Sequence, residues 1–273
     1  MLKSIGVWAF DPQQELTDTF KQARAAGFDG IELAIAEDGP ITPASTREEC
    51  ETIAGQVQDA GLQVAGLASG MGWSCPIAAN DSETRKRAVE NTAASLHVAK
   101  WLGAGAILLV PGTVGDDASK HHVSYQQAMD NTRDSLEQLK SVAEETGTKI
   151  GLENVWNKFL LSPLETRDFI DSFGTDKIGA YFDVGNVILT GYPEQWIEIL
   201  EHRIVRVHFK DFKREVGTLD GFCDLLEGDV NYPAVMEALR EVGYDGPVIA
   251  EFFNESDKAI RKVSRAIDDI LKM

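Results

Sequence analysis

The sequence has 273 residues, 43% of them hydrophobic, and its 26 basic and 44 acidic side chains give a net charge of −18. A chain this acidic repels nucleic acid and anionic membranes, and it contains no run approaching the roughly 20 apolar residues of a membrane span. Three widely spaced cysteines and an amino terminus without a signal-peptide pattern predict a reduced, cytoplasmic protein that has no disulfide framework.

Short apolar runs alternate along the chain with amphipathic stretches of helical period. Four runs in the first half predict strands at 4–9, 30–34, 63–67 and 106–110. Four more in the second half lie within 149–155, 178–186, 204–211 and 248–252. Helices are expected between them, at 13–26, 46–61, 82–98, 125–145, from 162, at 193–200, 231–243 and 256–271. Thr46 with Glu49 fits a capping box, and Ser162 with Pro163 fits a helix start.

Eight strands that alternate with helices predict a parallel sheet. Eight such units in a chain of this length predict one closed (β/α)₈ barrel, a TIM barrel, over residues 1–273. An open doubly wound sheet is the second possibility. That fold normally carries a glycine-rich nucleotide-binding loop after its first strand, whereas this chain has Phe10-Asp11-Pro12 there. The sequence therefore favours an α/β fold with a single barrel domain.

Each of the last four strands ends in one acidic or imidazole side chain: Glu153, Asp183, His208 and Glu251. If these side chains point into the barrel, the period of two turns the neighbouring apolar side chains outward, toward the helices. The outward set is then Ile150, Leu152, Ala180, Phe182, Val205, Val207, Phe209, Val248 and Ala250. Because barrel active sites lie at the carboxyl ends of the strands, the four polar side chains are expected to converge there.

Three carboxylates and one imidazole form a mostly hard ligand set for a divalent cation. Such a set suits Mn²⁺ or Mg²⁺, with Co²⁺ or Zn²⁺ possible. The ion would polarise a substrate carbonyl and stabilise an enediolate. Glu153 and Glu251 come from different sides of the predicted barrel mouth, so one can remove a proton beside the carbonyl while the other returns one. Asp183 and His208 would then serve as ligands only.

Six segments around these residues carry a family resemblance: 151–154, 182–186, 207–211, 226–232, 243–247 and 249–251. They resemble the xylose isomerase-like TIM-barrel superfamily. Within it they are similar to the sugar phosphate isomerase/epimerase group of ketose 3-epimerases and L-ribulose-5-phosphate 3-epimerases. The resemblance implies that the four polar side chains bind Mn²⁺ or a similar ion and that the two glutamates exchange the proton. It also implies that Arg214, six residues after His208, contacts the sugar, and that the protein forms a homodimer or homotetramer.

The expected substrate is a small ketose or sugar phosphate, and further side chains near the strand ends are candidates to contact it. These are Trp8, Asn186, Lys210 and Arg214. Lys210 and Arg214 can hold a phosphate or an enediolate oxygen, and the Trp8 ring can cover the C–H face of a sugar. Two positions depart from the ketose 3-epimerases, since Asn186 replaces a histidine and Phe159 replaces a second glutamate.

Three other functions stay open. A dehydratase of a keto-sugar or keto-inositol would use the same metal site and the same first proton abstraction. A multi-zinc DNA-repair endonuclease of the same superfamily would need further histidines where the chain has Ser69, Pro111 and Asn186, and its acidic charge opposes DNA binding. His121 and His122 are expected to be solvated surface instead. A non-catalytic sugar-binding protein is the last alternative.

Overall fold

The computed structural model describes residues 1–114, 123–252 and 256–273. The strands in these ranges are β1 Leu2–Gly6, β2 Gly30–Ile35, β3 Gln63–Ser69, β4 Ala106–Leu109, β5 Lys149–Glu153, β6 Ile178–Asp183, β7 Ile204–Phe209, β8 Asp211–Phe212, β9 Phe222–Cys223 and β10 Pro247–Ala250. Eight of these pair in parallel and close into a barrel in the order β1-β10-β7-β6-β5-β4-β3-β2, while β8 and β9 form a separate antiparallel pair. The predicted (β/α)₈ barrel is therefore confirmed.

Helices connect the barrel strands and cover the outside of the sheet. In the described ranges they are α1 Leu16–Ala25, α2 Arg47–Asp59, α3 Met71–Ser74, α4 Ser82–Leu102, α5 Tyr125–Thr146, α6 Pro163–Asp171, α7 Pro193–Leu200, α8 Tyr232–Glu241 and α9 Asp257–Ile270. The predicted capping box of Thr46 with Glu49 is present, and Ser162 caps α6 with Pro163 in its first turn. Across the described residues, the helices are all too short or too polar to cross a membrane.

The structure differs from the predicted elements mainly on the side of the barrel where the strands end. The first strand stops at Gly6, and Val7–Ala9 form a 3₁₀ turn instead of the predicted strand end. The β8–β9 pair and the one-turn helix α3 are absent from the prediction. Each is only two to four residues long. Elements this short lack enough residues to show a period, so loop contacts and not the apolar pattern stabilise them.

The buried apolar side chains form two layers, one on each face of the barrel. The larger layer lies between strands and helices and contains most of the predicted outward set, including Leu152, Phe182 and Val207. The smaller layer fills the barrel interior with Ala65, Ala68, Ala106, Leu108, Tyr181, Val205 and Ile249. The outward assignment of Val205 was wrong. Ala180 pairs with Ile204 and Tyr181 with Arg206, so a register shift leaves Val205 as an extra residue that turns inward.

Candidate active site

The four strand-end residues meet at the mouth of the barrel. Glu153 and Asp183 are the last residues of β5 and β6, Asp183 pairs in register with His208 on β7, and Glu251 directly follows β10. One potential ligand atom from each residue lies within 4.8 Å of all the others. Glu153, Asp183 and His208 are buried, while the Glu251 side chain is 14% exposed. The predicted convergence is thus present, because closing the barrel brings these strand ends together.

Asp183 is fixed by amide groups from the two adjacent loops. Its backbone N–H donates to Oδ1 of Asn154 at 2.8 Å, and Nδ2 of Asn154 donates back to its carbonyl at 2.8 Å. The backbone N–H of Asn186 donates to Oδ1 of Asp183, also at 2.8 Å. The other carboxylate oxygen, Oδ2, is buried and has no hydrogen-bond partner among the described residues. A buried carboxylate oxygen is costly without a donor or a cation, so this atom fits a metal ligand.

His208 lies between two sets of carboxylates. Its Nδ1 faces the cluster, 3.3 Å from Oε1 of Glu153 and 3.5 Å from Oε2 of Glu251. Its Nε2 faces the opposite way, 3.1 Å from Oε2 of Glu32. Glu32 lies on β2 and is 1% exposed. The sequence analysis missed Glu32, although the inward parity applied to the last four strands would have identified it on β2.

Lys210 brings a positive charge into the same site. Its Nζ donates to Oε2 of Glu251 at 2.8 Å, lies 3.9 Å from Oδ2 of Asp183, and sits 4.5 Å from the centroid of the Phe222 ring. The side chain is 14% exposed. Burial acts to lower the pKa of Lys210, but the charges of Asp183 and Glu251 outweigh it and raise the pKa above its ordinary value. The ammonium group is therefore charged and partly neutralises the acidic cluster.

The two glutamates have opposite pKa shifts. Burial raises the pKa of Glu153, against the lowering effect of its hydrogen bond with His208. Burial also acts to raise the pKa of Glu251, but its hydrogen bond with His208 and the charge of Lys210 outweigh it and lower the pKa. For His208, burial acts to lower the pKa, and the surrounding carboxylates, Glu32 first, raise it well above its ordinary value. The partners of Glu251 therefore favour its ionised form, while burial favours the protonated form of Glu153.

The other three side chains that were predicted to contact the substrate differ in how deeply they are buried. Trp8 is half-buried and packs on the apolar layer inside the barrel. Asn186 is buried, and its Nδ2 donates to the carbonyl of Asn154 at 2.9 Å. Arg214 is exposed, with its guanidinium carbon 5.4 Å from the centroid of the Tyr192 ring. The structure therefore places Trp8 near the interior and Arg214 on the rim, while the amide of Asn186 joins two loops.

Phe159, which the sequence analysis also named, does not contribute to the site. Phe159 is buried and packs against the rings of Tyr125 and Phe169, with centroid distances of 5.5 and 6.2 Å. It is a core residue and offers no polar group near Glu153. His121 and His122 lie outside the described residues, so the expectation that they are solvated stays a prediction.

Comparison with known proteins places this geometry in a family. The family model described as xylose isomerase-like TIM barrel matches residues 20–270. The chain belongs to this family. An uncharacterized protein of Methanocaldococcus jannaschii is 28% identical over 186 residues, which are 66% of this chain and 61% of that protein. The L-ribulose-5-phosphate 3-epimerase UlaE of Salmonella paratyphi A is 24% identical over 259 residues, covering 92% of this chain and 87% of the relative.

Solved structures agree with the family fold. A D-psicose 3-epimerase from Clostridium cellulolyticum H10, solved with D-tagatose, superposes with a TM-score of 0.82 at 16% identity and covers 99% of both chains. At this identity the likeness establishes the barrel and its connectivity. The resemblance noted in the sequence is therefore confirmed at the level of family and fold.

Proposed function

We propose that this chain is a divalent-metal-dependent isomerase or epimerase that moves a proton next to the carbonyl of a ketose or sugar phosphate. The observation that supports it most directly is the convergence of Glu153, Asp183, His208 and Glu251 within 4.8 Å at the carboxyl ends of the strands. Two of the proteins compared above are named as 3-epimerases, one of L-ribulose 5-phosphate and one of D-psicose, which agrees with this reaction class.

The four side chains fit a divalent ion. The unpartnered Oδ2 of Asp183 and the cluster-facing Nδ1 of His208 supply two donor atoms, and one oxygen of each glutamate completes the set. Three carboxylates and an imidazole favour Mn²⁺, while Mg²⁺, Co²⁺ and Zn²⁺ remain compatible. When bound, such an ion supplies Lewis acidity to the substrate carbonyl.

The two glutamates are placed for the proton transfers. In the proposed reaction one carboxylate oxygen takes the proton from the carbon beside the carbonyl, and the C–H electron pair moves into the carbonyl system to give an enediolate. The other glutamate then donates a proton to the opposite face of that carbon, which inverts it. His208 and Lys210 favour the ionised form of Glu251, which can accept a proton, whereas burial favours the protonated form of Glu153.

The surrounding side chains can orient a sugar above these carboxylates. Lys210 lies beside Glu251 and can donate to a substrate hydroxyl or enediolate oxygen. The half-buried ring of Trp8 can cover the C–H face of a sugar and limit access of water. Arg214 lies on the exposed rim, where a terminal phosphate of a longer substrate would reach it. Asn186 would act indirectly, through its backbone bond to Asp183.

The test is a panel of ketoses and ketose phosphates incubated with Mn²⁺ in D₂O. Deuterium at C3 of substrate or product would identify a 3-epimerase, and deuterium at C1 or C2 would identify an aldose–ketose isomerase. A product lighter by one water would point to the dehydratase, which uses the same proton abstraction. Binding of metal and sugar without deuterium incorporation for any substrate would refute the proposed reaction.

Variants separate catalysis from binding. Glu153→Gln and Glu251→Gln should each reduce turnover by about 10²–10⁴-fold, the usual contribution of a general acid or base. Glu198→Gln on the exposed face of α7 is the matched control and should retain full turnover. If Glu251→Gln bound metal and sugar and kept its turnover, the assigned proton-transfer role would be wrong.

A further inference from the structure

Glu32 is a buried carboxylate that the metal cluster itself does not include. It lies on β2, inside the barrel, with 1% of its surface exposed. Its two carboxylate oxygens are 3.2 and 3.1 Å from Nε2 of His208, on the side of the imidazole that faces away from Glu153 and Glu251. The imidazole of His208 thus has the candidate metal cluster at one nitrogen and a dedicated carboxylate at the other.

Tyr181 supports this arrangement from the barrel interior. Its hydroxyl donates to Oε1 of Glu32. Its ring meets the imidazole of His208 nearly edge-on, with centroids 5.0 Å apart and an interplanar angle of 69°. Tyr181 and His208 are each no more than 1% exposed, so close packing fixes both rings. The Glu32 carboxylate therefore accepts a hydrogen bond from the fixed hydroxyl of Tyr181 and lies against Nε2 of His208, whose ring is also fixed.

The backbone leaves space for the buried group. A Cβ at Gly66 would collide with the hydroxyl of Tyr181 and lie 3.3 Å from Oε1 of Glu32, and a Cβ at Gly6 would lie 3.6 Å from Oε2 of Glu32. The parallel pairing also shifts register directly before Glu32 on β2 and directly before Tyr181 on β6. The extra residue of each shift lies on the partner strand, β3 or β7, and packs in the apolar layer inside the barrel.

We propose that Glu32 is a positioning residue for the metal centre. Its carboxylate accepts a hydrogen bond from the Nε2–H of His208, so the lone pair on Nδ1 faces the candidate metal cluster. A carboxylate in this position fixes the tautomer and orientation of a ligating imidazole and strengthens it as a ligand. The inference rests on the proposed function, since it assumes that a divalent ion binds at the cluster.

The first test measures Zn²⁺ affinity by competition with a chelator in the wild type, Glu32→Leu, Glu32→Gln and Tyr181→Phe. Glu32→Leu removes the acceptor and should weaken Zn²⁺ binding by about 10–100-fold, the usual effect of losing such a partner. Glu32→Gln keeps an acceptor oxygen without the charge and should lose less. Tyr181→Phe leaves the bond between Glu32 and His208 intact, so it should weaken binding least.

A second readout reports the hydrogen bond itself. In the Zn²⁺-loaded protein, the Nε2 proton of His208 should give a slowly exchanging low-field resonance, assigned by its loss in His208→Gln. The resonance should persist in Tyr181→Phe and disappear in Glu32→Leu. A general packing role for Glu32 would leave the resonance in place, so its persistence in folded Glu32→Leu would overturn the proposal.

The outcomes distinguish this inference from the proposed function. A wild type that binds neither Zn²⁺ nor Mn²⁺ would refute the metal-dependent function and the role of Glu32 together. A wild type that binds Zn²⁺ no more tightly than both Glu32 variants would overturn only the role of Glu32. If Glu32→Leu does not fold, Glu32→Gln decides, and wild-type affinity in that variant would again overturn the proposal.

Discussion

Lys210 places an ammonium group beside two carboxylates that the proposed metal ion would share. Its Nζ is 2.8 Å from Glu251 and 3.9 Å from Asp183. In the metal-free site this charge partly offsets the repulsion among buried carboxylates, as a bound cation would. A divalent ion arriving at the cluster must therefore approach an existing positive charge, which lowers its affinity.

We expect Lys210→Met to bind Mn²⁺ more tightly than the wild type in the absence of sugar. Methionine has similar length without the charge, so the gain should be about tenfold, equal to ~1.4 kcal/mol. Turnover should fall at the same time, because the proposed donor to the substrate oxygen is lost. Chelator competition and steady-state kinetics measure the two effects, and Lys258→Met, exposed on α9, is the control. Unchanged or weaker Mn²⁺ binding in Lys210→Met would contradict this electrostatic interpretation.

At the scale of elements, the loop after β7 is organised around one buried carboxylate. Asp211 begins the β8–β9 pair and is fully buried. Its two oxygens accept hydrogen bonds from four backbone N–H groups, those of Phe212, Leu226, Gly228 and Val230, at 2.9–3.1 Å. The loop also carries Phe222, whose ring lies under the ammonium of Lys210. A loop that contributes to the site is thus folded by contacts that its own sequence period does not reveal.

Replacing Asp211 by alanine should destabilise the protein by about 2–5 kcal/mol, because several backbone donors lose their acceptor and each such bond is worth roughly 0.5–1.5 kcal/mol. Urea unfolding measures the loss, and hydrogen exchange should show faster exchange at the amides of Gly228 and Val230. Asp220→Ala, at an exposed position of the same loop, should change neither. Equal stability of the two variants would show that Asp211 does not organise the loop.

Gly228 in this loop can be compared with Gly55, a glycine in α2 that has open space around it. A Cβ at Gly228 would collide with the carboxylate of Asp211 and lie 2.6 Å from the backbone nitrogen of Phe212. Gly228→Ala should therefore cost about 1–3 kcal/mol, as overpacking usually does. Gly55 lies within α2 with nothing within 4 Å of a new Cβ, so Gly55→Ala should stabilise by roughly 0.5–1 kcal/mol. If the urea midpoints of both variants moved in the same direction, the close contact of Gly228 with Asp211 would not explain the result.

Across the whole molecule, burial of tyrosines links stability to alkaline pH. The chain has 5 tyrosines. Burial raises the pKa of Tyr125 to about 12 and also raises the pKa values of Tyr181, Tyr232 and Tyr244 above the ordinary value. Above a pH of roughly 10 the unfolded chain loses these protons while the native protein retains them. The unfolded state then binds fewer protons, so the free energy of unfolding must fall as pH rises.

This linkage predicts two measurable results. Most of the phenolate absorbance of the native protein should appear only at strongly alkaline pH or on unfolding, because four tyrosines have raised pKa values. Urea midpoints should decrease steadily above a pH of roughly 10. The protein titrated in denaturant is the control and should show one step. A native titration in which all the tyrosines ionise in a single step near the ordinary pKa would contradict the buried environment.

Much of the fold and the central part of the site could be predicted from local patterns. The apolar period and the helix caps identified eight strand–helix units, and residue parity aligned Glu153, Asp183 and His208 on one face. The alternation of inward and outward residues wrongly predicted that Val205 points outward, because a register shift between β6 and β7 adds a residue that no local pattern marks. Short elements such as β8 and β9 were also not predicted, because they form around the buried Asp211.

The sequence by itself determined the barrel and the strand-end ligand set, because both repeat with a period that neighbouring residues display. Only the tertiary structure decided which distant groups complete the site. Glu32 and His208 are 176 positions apart and meet because β2 and β7 face each other inside the closed barrel. The ion pair of Lys210 with Glu251 depends on the parallel pairing of β7 with β10. Local periods fix the face of each strand, whereas ring closure and register fix which faces meet.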